Sequence, residues 1–298
     1  MHAVQTLLRH GYAPVFFVGF VGGAVALLQA GLPVWVLPVL LLAAILVSFA
    51  GERILPYEPE WNRDHRDSAT NLWHVIVNEV SIFISVLSLP LVAAHVPGLD
   101  LWPHEWPLWL QLALAILIAD AGISLTHFFS HRYRWLWRLH SVHHAAPRLY
   151  GFNGLMKHPV HQAIELTAAT VPLILLGFGS TVAWLLSFAV AIQLLLQHSN
   201  VDMRIGKLGY FWAIAPAHRH HHIASATDGD VNFGLFTTVW DHLLGTFMLN
   251  DRPAPRAGEL GIDGDADFPR SYIGHLSAPF ARGFVHGIAA KSVARNGP

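Results

Sequence analysis

The sequence predicts an all-α integral membrane protein, with about six transmembrane helices paired as hairpins and a histidine-rich helical cap on the cytosolic side. Three observations predict it. Hydrophobic residues make up 53% of the 298 residues and charged residues only 12%, with a mean hydropathy of +0.43, beyond the range of soluble domains. Six apolar stretches are long enough, or nearly so, to cross a hydrocarbon core of about 30 Å at about 1.5 Å per residue. With six spans, all 18 Lys and Arg fall on one side, which the positive-inside rule makes the cytoplasm.

The spans follow one another with little connecting chain. Residues 14–31 and 33–50 are separated by Gly31-Leu32-Pro33, and residues 162–178 and 180–198 by Gly177-Phe178-Gly179-Ser180, so each pair reads as a tight hairpin. Residues 72–95 and 106–126 are joined through Val96-Pro97-Gly98-Leu99-Asp100. Arg9 ahead of the first apolar run has the look of a secretory signal, but a second span follows after one turn without an evident cleavage site, so the segment is read as a span. Both termini and loops 51–71, 127–161 and 199–298 then share the cytoplasmic side. Three parts are expected: a hairpin with its loop (1–70), a core domain (71–250) and a loosely packed tail rich in Gly, Pro and Ala (251–298).

The core domain carries histidines at repeated short spacings: His127-x3-His131, His140-x2-His143-His144 and His218-x2-His221-His222, with His158, His161 and His198 between them. Neutral imidazole is the commonest protein ligand for Zn, Fe, Cu and Ni. Spacings of three and four put ring nitrogens on one helical face. Nine or more such rings exceed the needs of one ion, so a polynuclear metal site is expected at the membrane–cytosol boundary.

Asp120 stands seven residues before His127 on the same face, and a carboxylate in an apolar span is a functional candidate. It is either a ligand or the acceptor that fixes a ring tautomer. His198 closes the sixth span at the depth of the other clusters. His158, His161 and Glu165 share a face where the fifth span begins, which makes both histidines candidate ligands and Glu165 a partner for His161. His220 points away from the face of His218, His221 and His222 and is expected on the solvated surface. His74, Asn78 and Glu79, at a span entrance, are candidate cavity-lining residues, while isolated histidines such as His275 read as surface or packing residues.

Composition also excludes several classes of function. Without cysteine there are no disulfides, iron–sulfur clusters or thiolate ligands, so any metal is held by N and O donors. The net charge is −1 and no long basic run tracks phosphates, which argues against nucleic acid as a partner. A metal transporter or sensor would place its ligands near the bilayer midplane, whereas these cluster at the edge.

Taken in order, Asp120, His127-Phe-Phe-Ser-His131-Arg132, Trp135-Leu-Trp-Arg-Leu-His140-Ser-Val-His143-His144, His198-Ser-Asn200, His218-x2-His221-His222, Asn232-Phe233-Gly234 and Trp240-Asp241-x3-Gly245-Thr246 resemble the fatty acid hydroxylase/sterol desaturase superfamily over about residues 70–250. The resemblance makes 71–250 a hydroxylase-like catalytic domain. It implies a histidine-ligated pair of iron ions that uses O2 and electrons to hydroxylate, desaturate or oxidatively cleave lipids. Its eleven implied metal ligands are His127, His131, His140, His143, His144, His158, His161, His198, His218, His221 and His222, and Asp120, Asn200, Asn232 and Asp241 are its candidate catalytic residues. Phe128 departs from the Arg that often follows the first histidine, and His161 stands where many relatives carry a carboxylate. A His-Pro-Gly-Gly haem motif is missing from the chain, so electrons are expected from a separate donor of ferredoxin, cytochrome b5 or reductase type. The expected function is a diiron lipid hydroxylase in a bacterial inner membrane or the endoplasmic reticulum. Desaturation and ether cleavage are the alternatives, and zinc is a possible occupant after purification because it binds imidazole more tightly than Fe(II).

Overall fold

In the computed structural model, six helices are long and apolar enough to cross a membrane. The structure describes residues 2–281 apart from 226, 251, 252, 265 and 266. The spans are α1 (Gln5–Gln29), α2 (Val36–Ile54), α3 (Ser68–Ala93) and α4 (Leu108–Ser130). After the cap helix α5 (Arg134–His144) come α6 (Pro159–Leu176) and α7 (Ser180–Gln197). Three short helices follow: α8 (Ala215–His218), α9 (Val239–Leu244) and α10 (Tyr272–Ser277). Among the described residues, strand-like pairing is limited to three isolated bridges.

The expected hairpins form. Gly31 and Gly177 turn their chains with φ of 85° and 87°, a conformation that glycine reaches without a Cβ penalty. The third connection, between α3 and α4, is tied to the α6–α7 turn by Leu99 N donating to Leu175 O (2.7 Å) and Leu101 N to Leu176 O (3.1 Å). The first span begins nine residues earlier than its apolar run, because Arg9 on its first turns is paired with Asp202 at 2.8 Å. A π turn at Val18–Gly22 interrupts α1.

α7 is the central helix: 72% of its apolar window is buried, against at most 39% in any other span. It is apolar on all sides, as a helix surrounded by others must be. The two glutamines near its C-terminus face the cap. Gln193 Nε2 donates to Ala213 O (2.9 Å) and Leu235 O (2.7 Å), and Gln197 Nε2 donates to Gly234 O (2.8 Å). These bonds fasten the loops after α7 over the end of the bundle. α4 and α6 approach closely at Gly122, where any Cβ would run into Ala168 O.

Residues 268–281 were expected in a loose tail, yet they pack on the cap. Trp137 and Val142 of α5 form a small apolar cluster with Ile262, Phe268 and Ala278, and Thr70 Oγ1 donates to Arg270 O (2.7 Å). Burial of that apolar surface supplies the affinity that composition alone did not reveal. The rest of the predicted tail, residues 282–298, lies outside the described residues.

Candidate metal centre

The ends of α4 and α7, the helix α5 and the turns after α8 converge at one end of the bundle. They bring nine of the eleven predicted ligands into two buried groups: His127, His131, His140, His144 and His221 in one, His143, His198, His218 and His222 in the other. Within each group the ligating nitrogens all lie within 4.8 Å of one another. α5 serves both groups. Its residues 140 and 144 face the first group and 143 the second, as neighbouring positions on a helix diverge by about 100°.

Backbone carbonyls fix the tautomers. His127 Nδ1 lies 2.9 Å from Phe233 O and His221 Nδ1 lies 2.8 Å from Val231 O. A carbonyl only accepts, so both Nδ1 atoms carry the proton and both Nε2 atoms present lone pairs. Those two Nε2 atoms are 2.8 Å apart. The second group repeats the pattern: His143 Nδ1 donates to Met156 O (3.3 Å), His198 Nδ1 to Leu194 O (3.3 Å), and their Nε2 atoms face each other at 3.3 Å. Two lone pairs at such distances repel unless a cation lies between them. Protonation is a poor answer, since burial and the neighbouring imidazoles hold His140, His143, His144, His218 and His222 well below the ordinary 6.5, and burial holds His198 at about 3. Neutral, inward-facing nitrogens are what a metal ion requires. The donor set fits two metal ions, one per group.

The four polar residues expected to be catalytic each hold a loop. Asp120, fully buried, accepts from Phe236 N (2.7 Å), Thr237 N (3.1 Å), Thr237 Oγ1 (2.7 Å) and Trp240 Nε1 (3.1 Å). Asp241 accepts from Phe233 N (2.6 Å) and Gly234 N (2.9 Å), fixing the peptide whose carbonyl orients His127. Asn232, at φ 56°, donates to Ala217 O (2.8 Å) and Met248 O (2.6 Å). Asn200 accepts from Glu58 N (3.0 Å) and donates to Glu58 O (3.0 Å). With their polar atoms spent on main-chain and side-chain partners in the loops, they position the centre from outside it.

Two predicted ligands stay out of both groups. His158 caps the start of α6, its Nδ1 accepting from Val160 N (3.2 Å) while its Nε2 donates to Leu276 O (3.2 Å), so both ring nitrogens are taken. His161 lies against the first group, its ring 4.7 Å from that of His140. Its Nε2 is 2.8 Å from Ser130 Oγ, and its Nδ1 is 3.8 Å from Glu165. Glu165 thus does stand behind His161, and it also pairs with Lys157 at 2.6 Å. His220 is buried, with 1% exposed, contrary to the solvated position expected, because residues 219–222 form tight turns rather than a helix. His74 is likewise buried rather than cavity-lining, with Nε2 3.0 Å from His275 Nδ1.

Sequence reading missed two carboxylates. Asp230, taken as a turn residue, lies 3.9 Å from His131 Nδ1 and pairs with Arg132. Glu52, buried at the end of α2, accepts from Gly151 N (2.9 Å) and Asn200 N (3.1 Å), bracing the chain just after His198. A charged residue at the end of an apolar span was the available signal.

Residues 112–246 match the model of the fatty acid hydroxylase family. Ornithine lipid hydroxylase OlsE of Rhizobium tropici is 30% identical over 253 residues, covering 82% of this chain and 75% of that protein. Cholesterol 25-hydroxylase of Mus musculus is 26% identical, over 58% of this chain and 59% of its own length. A cholesterol 25-hydroxylase-like protein of Caenorhabditis briggsae is 28% identical, over 49% and 47%. No solved structure gives a significant match. The matched segment contains all nine converging histidines, and the likeness to the bacterial hydroxylase runs through most of both chains, so the chain belongs to the fatty acid hydroxylase family.

Proposed function

We propose that this protein is an O2-dependent diiron hydroxylase acting on a C–H bond of a membrane lipid. The observation that carries the proposal is the pair of buried imidazole groups with lone pairs facing inward, each group suited to one ion. Iron is favoured over zinc because oxidation of an unactivated C–H bond needs a metal that changes redox state, which Zn2+ cannot do. His127, His131, His140, His144 and His221 would hold one iron, and His143, His198, His218 and His222 the other. The bound pair supplies O2 activation: R–H + O2 + two electrons + two protons give R–OH + H2O, with electrons from a separate donor of ferredoxin, cytochrome b5 or reductase type.

The chain's own part is positional. The carbonyls of Phe233, Val231, Met156 and Leu194 hold four rings in one tautomer, and Asp120 and Asp241 hold the loop that carries Phe233. Burial of the nine rings, none more than 7% exposed, keeps bulk water from the centre. Hydroxylation is favoured over desaturation because the relatives named above are hydroxylases.

Lipid extracts from cells expressing the protein, grown under isotopically labelled dioxygen, test the reading. A lipid carrying one labelled oxygen should appear with the wild type and vanish with His143→Ala. A labelled product that persists in the variant would sink the assignment. The distribution of positive charge supports a proposed topology with both termini and the centre on the cytoplasmic side. In intact cells, an impermeant thiol reagent should therefore modify Asp100→Cys and spare Arg256→Cys.

A further inference from the structure

A groove of about 340 Å³ runs along the bilayer-facing side of the bundle, with α7 as its floor and α2 and α3 as its walls. Leu41, Ile45, Phe83, Trp184 and Phe188 line it, and so does one carboxyl group, Glu79. Glu79 Oε1 is buried and has no hydrogen-bond partner. An unpaired carboxyl in hydrocarbon costs several kcal/mol, and in a close-packed membrane bundle a residue of that cost marks a function. The groove also has a definite depth. Asn78, next to Glu79 on α3, donates to Leu155 O (2.7 Å) and Lys157 O (3.1 Å), and Ala191, which also lines the groove, is seven residues, about 10 Å of helix rise, before His198. The carboxyl therefore sits within the bundle just beneath the cap, and the groove runs up α7 toward the second histidine group.

We propose that this groove takes a lipid whose hydrocarbon chain carries a hydroxyl group, and that Glu79 is the residue that selects it. The proposal rests on the lipid-hydroxylase reading above. A hydroxyl both donates and accepts, so it meets a carboxyl reciprocally and supplies the partner that the protein withholds. An ammonium headgroup fits less well, since the walls around Glu79 are almost wholly apolar and stripping its water there would itself be costly. The apolar walls accept the remainder of the chain, and the direction of the groove presents one end of it to the histidine centre. One hydrogen bond made in a dry groove corresponds to roughly five- to tenfold in affinity.

The test uses the full-length protein in phosphatidylcholine nanodiscs and two radiolabelled probes, ricinoleic acid and oleic acid, which differ by one chain hydroxyl. The wild type should retain ricinoleic acid roughly five- to tenfold more tightly. Glu79→Leu should lose that preference while binding oleic acid as before, and Glu79→Gln, whose amide also donates and accepts, should keep most of it. Equal retention of the two probes by the wild type, or an undiminished preference in Glu79→Leu, would overturn the proposal. Metal content is measured on the same samples: wild type lacking metal contradicts the diiron reading and leaves the probe preference to be judged by itself.

Discussion

Nine histidines converge on the candidate centre and five others, His74, His158, His161, His220 and His275, stand near it or in its supports, yet burial does not separate the two sets: all fourteen are less than 9% exposed. The difference lies in the ring nitrogens. His127, His143, His198 and His221 give Nδ1 to a carbonyl and turn Nε2 toward another lone pair, whereas His158 spends both nitrogens on the protein and His74 spends one on Lys157 O (3.1 Å) and sets the other 3.0 Å from His275. A buried histidine is a ligand candidate when its second nitrogen converges with at least three others, and a packing residue when the protein answers both nitrogens, as at His158, or sets the second against a single imidazole, as at His74.

The largest effect that would sharpen this contrast comes from His143→Ala and His221→Ala. Each should lower metal content and reduce product formation by more than about a hundredfold, beyond the ten- to hundredfold typical of an outer partner. Metal analysis and product assays at equal protein level check both.

Asp241→Ala acts at one remove. It leaves Phe233 N and Gly234 N without their acceptor and frees the carbonyl that orients His127. A loss of roughly ten- to hundredfold in metal affinity is expected, read by competition with a chelator. Unchanged affinity would show that the Phe233 loop is held without it.

The surrounding set predicts a pH effect. Burial holds His275 at about 4, below the ordinary 6.5, so an undocked segment takes up a proton before the docked one. Docking of residues 271–281 is then fully stable above about pH 6.5 and weakens progressively from there to about pH 4, by about 2 kcal/mol at about pH 5. Hydrogen exchange in α10 should accelerate over that window, and His275→Phe should remove the dependence.

The smallest effect on metal belongs to His220→Ala. The variant loses packing, with a lower melting temperature from the cavity left behind, but keeps its metal. Loss of metal equal to that in His143→Ala would erase the distinction between the two sets.

The six spans, their hairpins and the nine converging histidines were legible because hydropathy and local spacing are short-range signals. The failures have distinct physical sources. Asp230 and Glu52 act on residues about a hundred positions away, as does the Phe233 carbonyl that sets the His127 tautomer, and no periodicity reports such contacts. His220 was misplaced because the spacing 218–222 was read on an ideal helix, while i→i+3 bonds such as His221 N to His218 O (2.9 Å) wind this stretch more tightly. His158 was counted as a ligand although Lys157-His158-Pro159 already reads as a helix entry, and the entry is what occupies its ring.

The central claim is that two metal ions sit in two imidazole groups. Elemental analysis of folded, active protein purified from iron-replete cells tests it directly, alongside the double variant His198→Ala/His222→Ala. The account predicts about two metal ions per chain in the wild type and about one in the double variant, with the five-histidine group still filled. A single ion per chain in active wild-type protein, or none, would contradict it.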